Sequence, residues 1–323
     1  MAGLLRLFAA LLFAAGLSGC AFVSVPLLSP TKPLEEQTLE GEGRSKILLL
    51  DVSGVISERE KGGGLLSRGA PSMVAQMREA LLKAERDDDV AGVIVRINSP
   101  GGTVTASDTI HHDLQTFRQR KKVPVTACIT GIGTSGGYYI ATAADEIIAH
   151  PTAVTGSIGV MLMKFNVEGL LAKIGVSEQT IKSGDKKDIL SPFRPATTDE
   201  QRLVQGIIDR LYGRFLDTVA ARPKNTLSRQ ELQALADGRI YTADQAVASG
   251  LIDGIGYLDE TITRMEKSLG LEKARVVTYY RPGGYKGSIY ADGGPEPPRF
   301  GALFELLGDD FFAESRFMYL WSP

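Results

Sequence analysis

The sequence predicts an α/β fold with a largely parallel sheet, and three observations carry that expectation. Short apolar runs alternate with amphipathic stretches from Lys46 onward. The apolar runs are of the buried-strand type, and the stretches between them have helical periodicity. Each run ends in a glycine-bearing turn, so these turns should gather along one edge of the sheet, where such folds place their sites.

The elements follow in order. "KILLLDVSGVIS" opens the folded region as a strand, and "REKGGGLLSRGA" reads as a mobile loop. "PSMVAQMREALLKAERDDD" is helical, with Val74, Met77, Leu81 and Ala84 on one face. "VAGVIVRINSPGG" is a strand ending in a glycine turn. "SDTIHHDLQTFRQRKK" is a helix, for which Ser107 or Asp108 is the expected N-cap. "VPVTACITG" is a third strand, followed by a turn at Ser135 and the helix "GGYYIATAAD"; "EIIAHPTAVTGSIGV" supplies short strands and turns. The second half is more helical. "TTDEQRLVQGIIDRLYGRFLDTVAARP" is one long amphipathic helix with acidic residues in its first turn. "SRQELQALAD", "TADQAVASG" and "YLDETITRMEKSLG" are shorter helices.

The ends of the chain read differently. Arg6 followed by the apolar run Leu7 to Leu17 has the length of a signal-peptide core and is too short to span a bilayer. It closes on Leu17-Ser18-Gly19-Cys20, which resembles a bacterial lipobox, with Cys20 the lipidated first residue of the mature chain. Ala21 follows, rather than the aspartate that holds many lipoproteins at the inner membrane. The expected organisation is a signal peptide over 1–19, a lipid-anchored tether over 20–45, a folded domain over 46–280 and a tail over 281–323. The 323 residues, 43% of them hydrophobic, suffice for a buried core. A net charge of −2 without a basic block argues against a nucleic-acid partner. Only two cysteines are present. With Cys20 lipidated no intrachain disulfide can form, and Cys128, inside an apolar run, is expected to be a buried structural thiol.

Gly133-Thr134-Ser135-Gly136-Gly137 fits the Gly-x-Ser-x-Gly nucleophile elbow, with a strand before it and a helix after it. A serine hydroxyl attacks only when a base removes its proton. A Ser-His-Asp triad is poorly served: His150 is the sole histidine downstream, with only Asp145 and Glu146 between, and His111 and His112 lie upstream on a helix. Lysine is the alternative base, provided its site keeps it neutral. Lys164, Lys173, Lys182, Lys186 and Lys187 are the downstream candidates, and spacing alone does not choose among them. No His/Cys/Asp cluster has metal-ligand spacing, so neither metal nor other cofactor is expected. Tyr138 and Tyr139 are expected to pack rather than react.

Several segments together resemble the bacterial signal peptide peptidase A, or protease IV, family. They are "INSPGG" from Ile97, "GTSGGYYIATAADEI" around Ser135, "TGSIGV" from Thr155, "IKSGDKKDILSPFR" from Ile181 and "GRIYTADQAVASGLIDGIG" from Gly238. The resemblance implies a Clp protease/crotonase-like spiral of βα-type units, present here in one copy. It implies Ser135 as nucleophile, Lys187 as general base and Lys186 as an unassigned neighbour. Ser157, otherwise an ordinary turn serine, would orient the lysine, and the N–H groups of Gly102 and Gly136 would form the oxyanion hole. It further implies a homo-oligomeric ring in which serine and lysine come from neighbouring subunits. The substrates would be leftover signal peptides and other extended apolar chains in the cell envelope. Anchoring through Cys20 departs from family members held by a transmembrane helix. Two other readings stay open: a non-catalytic envelope scaffold, and a crotonase-like acyl-CoA enzyme, which an export signal disfavours.

Overall fold

The computed structural model of the chain describes residues 33–60, 70–281, 286–291 and 317–321. The signal peptide, Cys20, the first part of the tether, most of the loop after Glu60 and most of the tail lie outside them. All elements below belong to one compact unit formed by 32–61 and 71–323.

The central sheet runs β1-β10-β2-β3-β5-β6-β9. Its members are β1 (Glu35–Glu40), β2 (Lys46–Ser53), β3 (Val90–Ser99), β5 (Val125–Thr134), β6 (Glu146–Ala149), β9 (Gly254–Ile255) and β10 (Arg275–Tyr280). From β10 to β9 every pair is parallel, and β1 closes one edge antiparallel to β10. The alternation along each strand explains why both faces are covered. Leu48, Leu50 and Val52 of β2 join Val93, Val95 and Ile97 of β3 in a core against α1 (Met73–Glu85), α2 (Val104–Lys121) and α3 (Gly136–Ala141). Ile47, Leu49, Ile94 and Cys128 point the other way, against Leu258, Ile262 and Met265 of α8 (Leu258–Ser268).

The middle strand β5 forks. Its first half, Thr126–Ile129, pairs with β6, and its last residues, Ile132–Thr134, pair with β7 (Val154–Gly156). β7 in turn pairs antiparallel with β8 (Ile240–Thr242). The carboxyl ends of β2, β3, β5 and β7 therefore meet at one edge, as the glycine turns led one to expect. β4 (Gly101–Thr103) continues from β3 at that edge.

After β7 come α4 (Glu168–Lys173), the long α5 (Thr198–Ala220), α6 (Arg229–Leu235) and α7 (Ala243–Ala248). The last three open on reciprocal capping boxes, Thr197 with Glu200, Ser228 with Glu231 and Thr242 with Gln245. The "GLIDGIG" segment is clamped onto this frame: Asp253 accepts the Ile147 N–H at 2.7 Å and pairs with the buried Arg222.

Three sequence expectations are corrected. The second helix begins at Val104 because Thr103, not Ser107 or Asp108, accepts the cap bond from the Ala106 N–H. Ser107 instead donates to the Thr103 carbonyl, and Asp108 accepts from the Tyr139 hydroxyl. The tether read over 20–45 is sheet from Glu35 to Glu40. The tail read from 281 holds a further strand, β11 (Met318–Leu320), paired antiparallel with β4.

Candidate active site

Ser135 sits between β5 and α3, at the N-cap of the helix, with φ 52° and ψ −113°. L-residues rarely adopt this conformation, which costs on the order of 1–3 kcal/mol and persists only where the surroundings enforce it. They do so here. The Ser135 N–H donates to the Gly156 carbonyl at 2.7 Å, and its own carbonyl accepts from Tyr139 N–H at 2.8 Å. The hydroxyl makes no capping bond to α3, so it is left for other chemistry.

The glycines of the "SPGG" turn stand beside it. Ser99, fully buried, donates to the Gly54 carbonyl at 2.6 Å and accepts the Gly101 N–H at 3.1 Å. Ile56 and β4 exchange backbone bonds, Ile56 N–H to Gly101 O at 2.8 Å and Thr103 N–H to Ile56 O at 2.9 Å. Gly101 has φ +105°, and a Cβ placed on it would lie 2.8 Å from Gly136 N. A Cβ on Gly102 would fall 1.9 Å from Ile56 O, and one on Gly136 would fall 2.4 Å from Ser107 Oγ. Side chains are thus excluded by close backbone at Gly101 and Gly102, and by the Ser107 hydroxyl at Gly136. A carbonyl oxygen already lies there: Tyr319 O, 2.0 Å from the Cβ position of Gly101 and 3.1 Å from that of Gly136.

Ser157 follows β7 directly, buried and also at positive φ (50°), with its N–H on Arg239 O at 2.8 Å. Because Thr134 pairs with Gly156, Ser135 and Ser157 emerge from neighbouring strand ends. Lys187 is not brought to them. It is exposed, in a turn closed by its own N–H on Gly184 O at 3.0 Å. Its loop is nevertheless well held. Arg194 takes Asp188 in a two-point grip at 2.7 and 2.8 Å and reaches Glu200 at 2.6 and 2.9 Å. Three of the four competing lysines are committed elsewhere: Lys164 to Arg194 O at 2.9 Å, Lys182 to Asp188 at 2.7 Å and Lys186 to Asp199 at 2.8 Å. The Asp199 bond raises the Lys186 pKa, which opposes the neutral form a base requires.

His111 and His150 serve packing, and His112 is exposed. His111 meets the Tyr139 ring edge-on at 5.1 Å, and burial lowers its pKa to about 4. His150 packs edge-on against Tyr257 and Tyr290. Cys128 is buried beneath α8, and that burial pushes its thiol up to about 11, which removes thiolate chemistry. Tyr138 and Tyr139 are both fully buried, Tyr138 donating to Leu251 O at 2.7 Å. Two features escaped the sequence reading. Ser99 as the brace of the glycine turn had a signal, its place within "INSPGG". The Tyr139–Phe215–Tyr319 cluster had none, because its members are joined only by the fold.

A strained serine at the end of a parallel strand, beside closely packed glycine segments, fits the nucleophile elbow of a serine hydrolase. Comparison with known proteins narrows the class. The model of peptidase family S49 matches residues 117–272, and that of Clp protease matches 66–155. The chain is 35% identical over 250 residues to a putative signal peptide peptidase SppA of Enterococcus faecium, covering 76% of this chain and 70% of that protein. It is 41% identical over 202 residues to a putative protease of Synechocystis, covering 62% and 72%. Against Protease 4 of Salmonella typhi the identity is 33%, over 68% of this chain and only 34% of that longer protein. Among solved structures, a membrane-bound stomatin-specific protease aligns with TM-score 0.44 and 14% identity, over 69% of this chain and 86% of that one. The chain belongs to peptidase family S49. It is a serine peptidase of the SppA type, and its α/β fold is of the Clp protease class.

Proposed function

We propose that the protein is a Ser-Lys endopeptidase of the cell envelope, anchored by lipid at Cys20, that hydrolyses leftover signal peptides and other extended apolar chains. One observation carries the reading: the backbone around Ser135 is strained into place beside glycines that surround a carbonyl oxygen. Lys187 Nζ takes the Ser135 proton, and Oγ attacks the scissile carbonyl carbon. The N–H groups of Gly102 and Gly136 stabilise the oxyanion, a contribution of about 3–4 kcal/mol per donor in comparable sites. The C–N bond breaks as Lys187 returns the proton to the leaving amine, and water, activated by the same lysine, cleaves the acyl-enzyme. Ser157 orients the lysine. Since Lys187 and Ser135 share no contact within the chain, the lysine comes from a neighbouring subunit of a homo-oligomeric ring.

The test is peptide hydrolysis by the mature protein and three variants on an apolar fluorogenic peptide. Ser135→Ala and Lys187→Ala should each lose at least about 10³-fold in kcat/KM, while Lys186→Ala keeps its activity. Full activity in Lys187→Ala overturns the assignment of the base. An assembled wild type that cleaves nothing indicates a scaffold instead.

A further inference from the structure

Strand β5 gains two residues on β3 just before it reaches Ser135. Ile97 faces Ile129, but the next pair is Ser99 with Gly133. Asn98 therefore stands alone against Thr130, Gly131 and Ile132, which form a bulge. Bulges re-aim a strand and are frequent beside active sites. This one coincides with the fork of β5: pairing with β6 ends at Ile129, and pairing with β7 starts at Ile132. Two strand residues span about 6.6 Å, so the bulge decides where Ser135 stands relative to the Ser99–Gly102 turn.

Side chains from both neighbouring strands hold the bulge. From β7, Thr155 Oγ1 donates to Gly133 O at 2.7 Å. From β3, the Asn98 side chain lies against Gly131, and its Oδ1 accepts the Ile132 N–H at 3.1 Å. A Cβ on Gly131 would fall 2.9 Å from that oxygen, so glycine there lets the amide close over the bulge. The Asn98 carbonyl accepts the Gly54 N–H at 3.0 Å, and the next residue, Ser99, braces the glycine turn. One residue thus joins two parts of the site. Its main chain runs into the glycine turn, and its amide grips the arm that ends in Ser135. Asn98 is itself exposed, so core packing does not account for it.

We propose that Asn98 is a positioning residue for hydrolysis, its amide oxygen holding the β5 bulge that aims Ser135 at the glycine turn. The proposal rests on Ser135 as the nucleophile. Asn98 acts through the backbone of Ile132 to Thr134 and not on the reacting atoms. Without its oxygen the bulge relaxes, and a misplacement of about 1 Å at a reacting group can cost about 10²-fold in rate.

The test separates kcat from KM for hydrolysis of an apolar fluorogenic peptide by the mature protein and four variants. Asn98→Ala removes the oxygen. Gly131→Ala keeps Asn98 but pushes its amide aside, a movement open to the free end of a side chain. Each should lower kcat about tenfold and leave KM within about twofold. Asn98→Asp keeps an oxygen in place and should hold kcat within about twofold of wild type. The variant carrying both Asn98→Ala and Gly131→Ala should be no slower than either alone, because both remove one contact. Amide hydrogen exchange across 130–135, read by mass spectrometry, should quicken about tenfold in Asn98→Ala and Gly131→Ala but not in Asn98→Asp. Unchanged kcat in a folded Asn98→Ala protein overturns the proposal. So does an Asn98→Asp protein as slow as Asn98→Ala, or additive losses in the double variant. If Asn98→Ala does not fold, Gly131→Ala compared with Asn98→Asp decides. A wild type that cuts nothing refutes the nucleophile, and hydrogen exchange then decides alone: unchanged exchange across 130–135 overturns the role of Asn98.

Discussion

Ser135 and Ser157 are two of only four non-glycine positions at positive φ among the described residues. The two lie at neighbouring strand ends, and the strain at Ser135 should be visible in stability. Ser135→Gly removes the Cβ that makes φ 52° unfavourable. The variant should lose hydrolysis and yet gain about 1 kcal/mol. Its melting temperature, read by calorimetry, should rise by about 2–3 °C for a domain of this size. An unchanged or lowered Tm would show that the backbone is relaxed there. At this scale the sequence was informative where backbone geometry demands a residue type: the Gly-x-Ser-x-Gly motif placed Ser135 in a turn between a strand and a helix, where the structure has it. The choice among lysines was not legible from spacing. It depends on which side chains fold back onto partners, and Asp199, Asp188 and the Arg194 carbonyl engage Lys186, Lys182 and Lys164.

The loop carrying Lys187 owes its shape to Arg194. Hydrogen bonds from Arg194 hold the carboxyls of Asp188 and Glu200 below their ordinary 3.8 and 4.5, Glu200 reaching about 2. The unfolded chain binds those protons more readily, so this stabilisation is complete above about pH 4.5 and fades as the pH falls toward 2. Arg194→Ala should melt below wild type at pH 6, and the gap should narrow steadily as both are taken toward pH 2. A gap independent of pH would mean that the ion pairs contribute nothing. Under the proposed mechanism the variant should also lose about tenfold or more in kcat/KM, because a displaced Lys187 no longer meets the serine. The long helices were readable because capping boxes and helical period are local signals. β1 and β11 were not. Proline, charge and glycine gave Glu35–Glu40 the look of a tether, and only pairing with Val276 to Tyr280 makes it a strand. β11 has three residues, too few for any period, and its partner lies at Gly101–Thr103.

Across the whole molecule, apolar side chains stand in solvent beside the Lys187 loop. Phe165, Leu170, Ile174, Ile181, Leu203 and Ile207 are all exposed, Ile181 at 96%. A second copy covering them would bury this surface and could deliver Lys187 to Ser135. Mixing the two inactive proteins tests it. Equimolar Ser135→Ala and Lys187→Ala subunits, dissociated and reassembled together, should recover about a quarter of wild-type activity, since that share of random neighbour pairs joins an intact serine to an intact lysine. No recovery in mixed assemblies would place both groups in one subunit. The fold class was legible because it follows from alternation along the chain, whereas assembly lies in surfaces that no local pattern reveals. The first strand sets one further limit. Fourteen residues, hence fifteen Cα–Cα steps, separate Cys20 from Glu35, where the sheet begins. Fully drawn out they reach at most about 50 Å, roughly one domain diameter. A lipid on Cys20 would turn that span into a working radius, so that a peptide farther from the bilayer than the leash allows would escape the enzyme whatever its sequence.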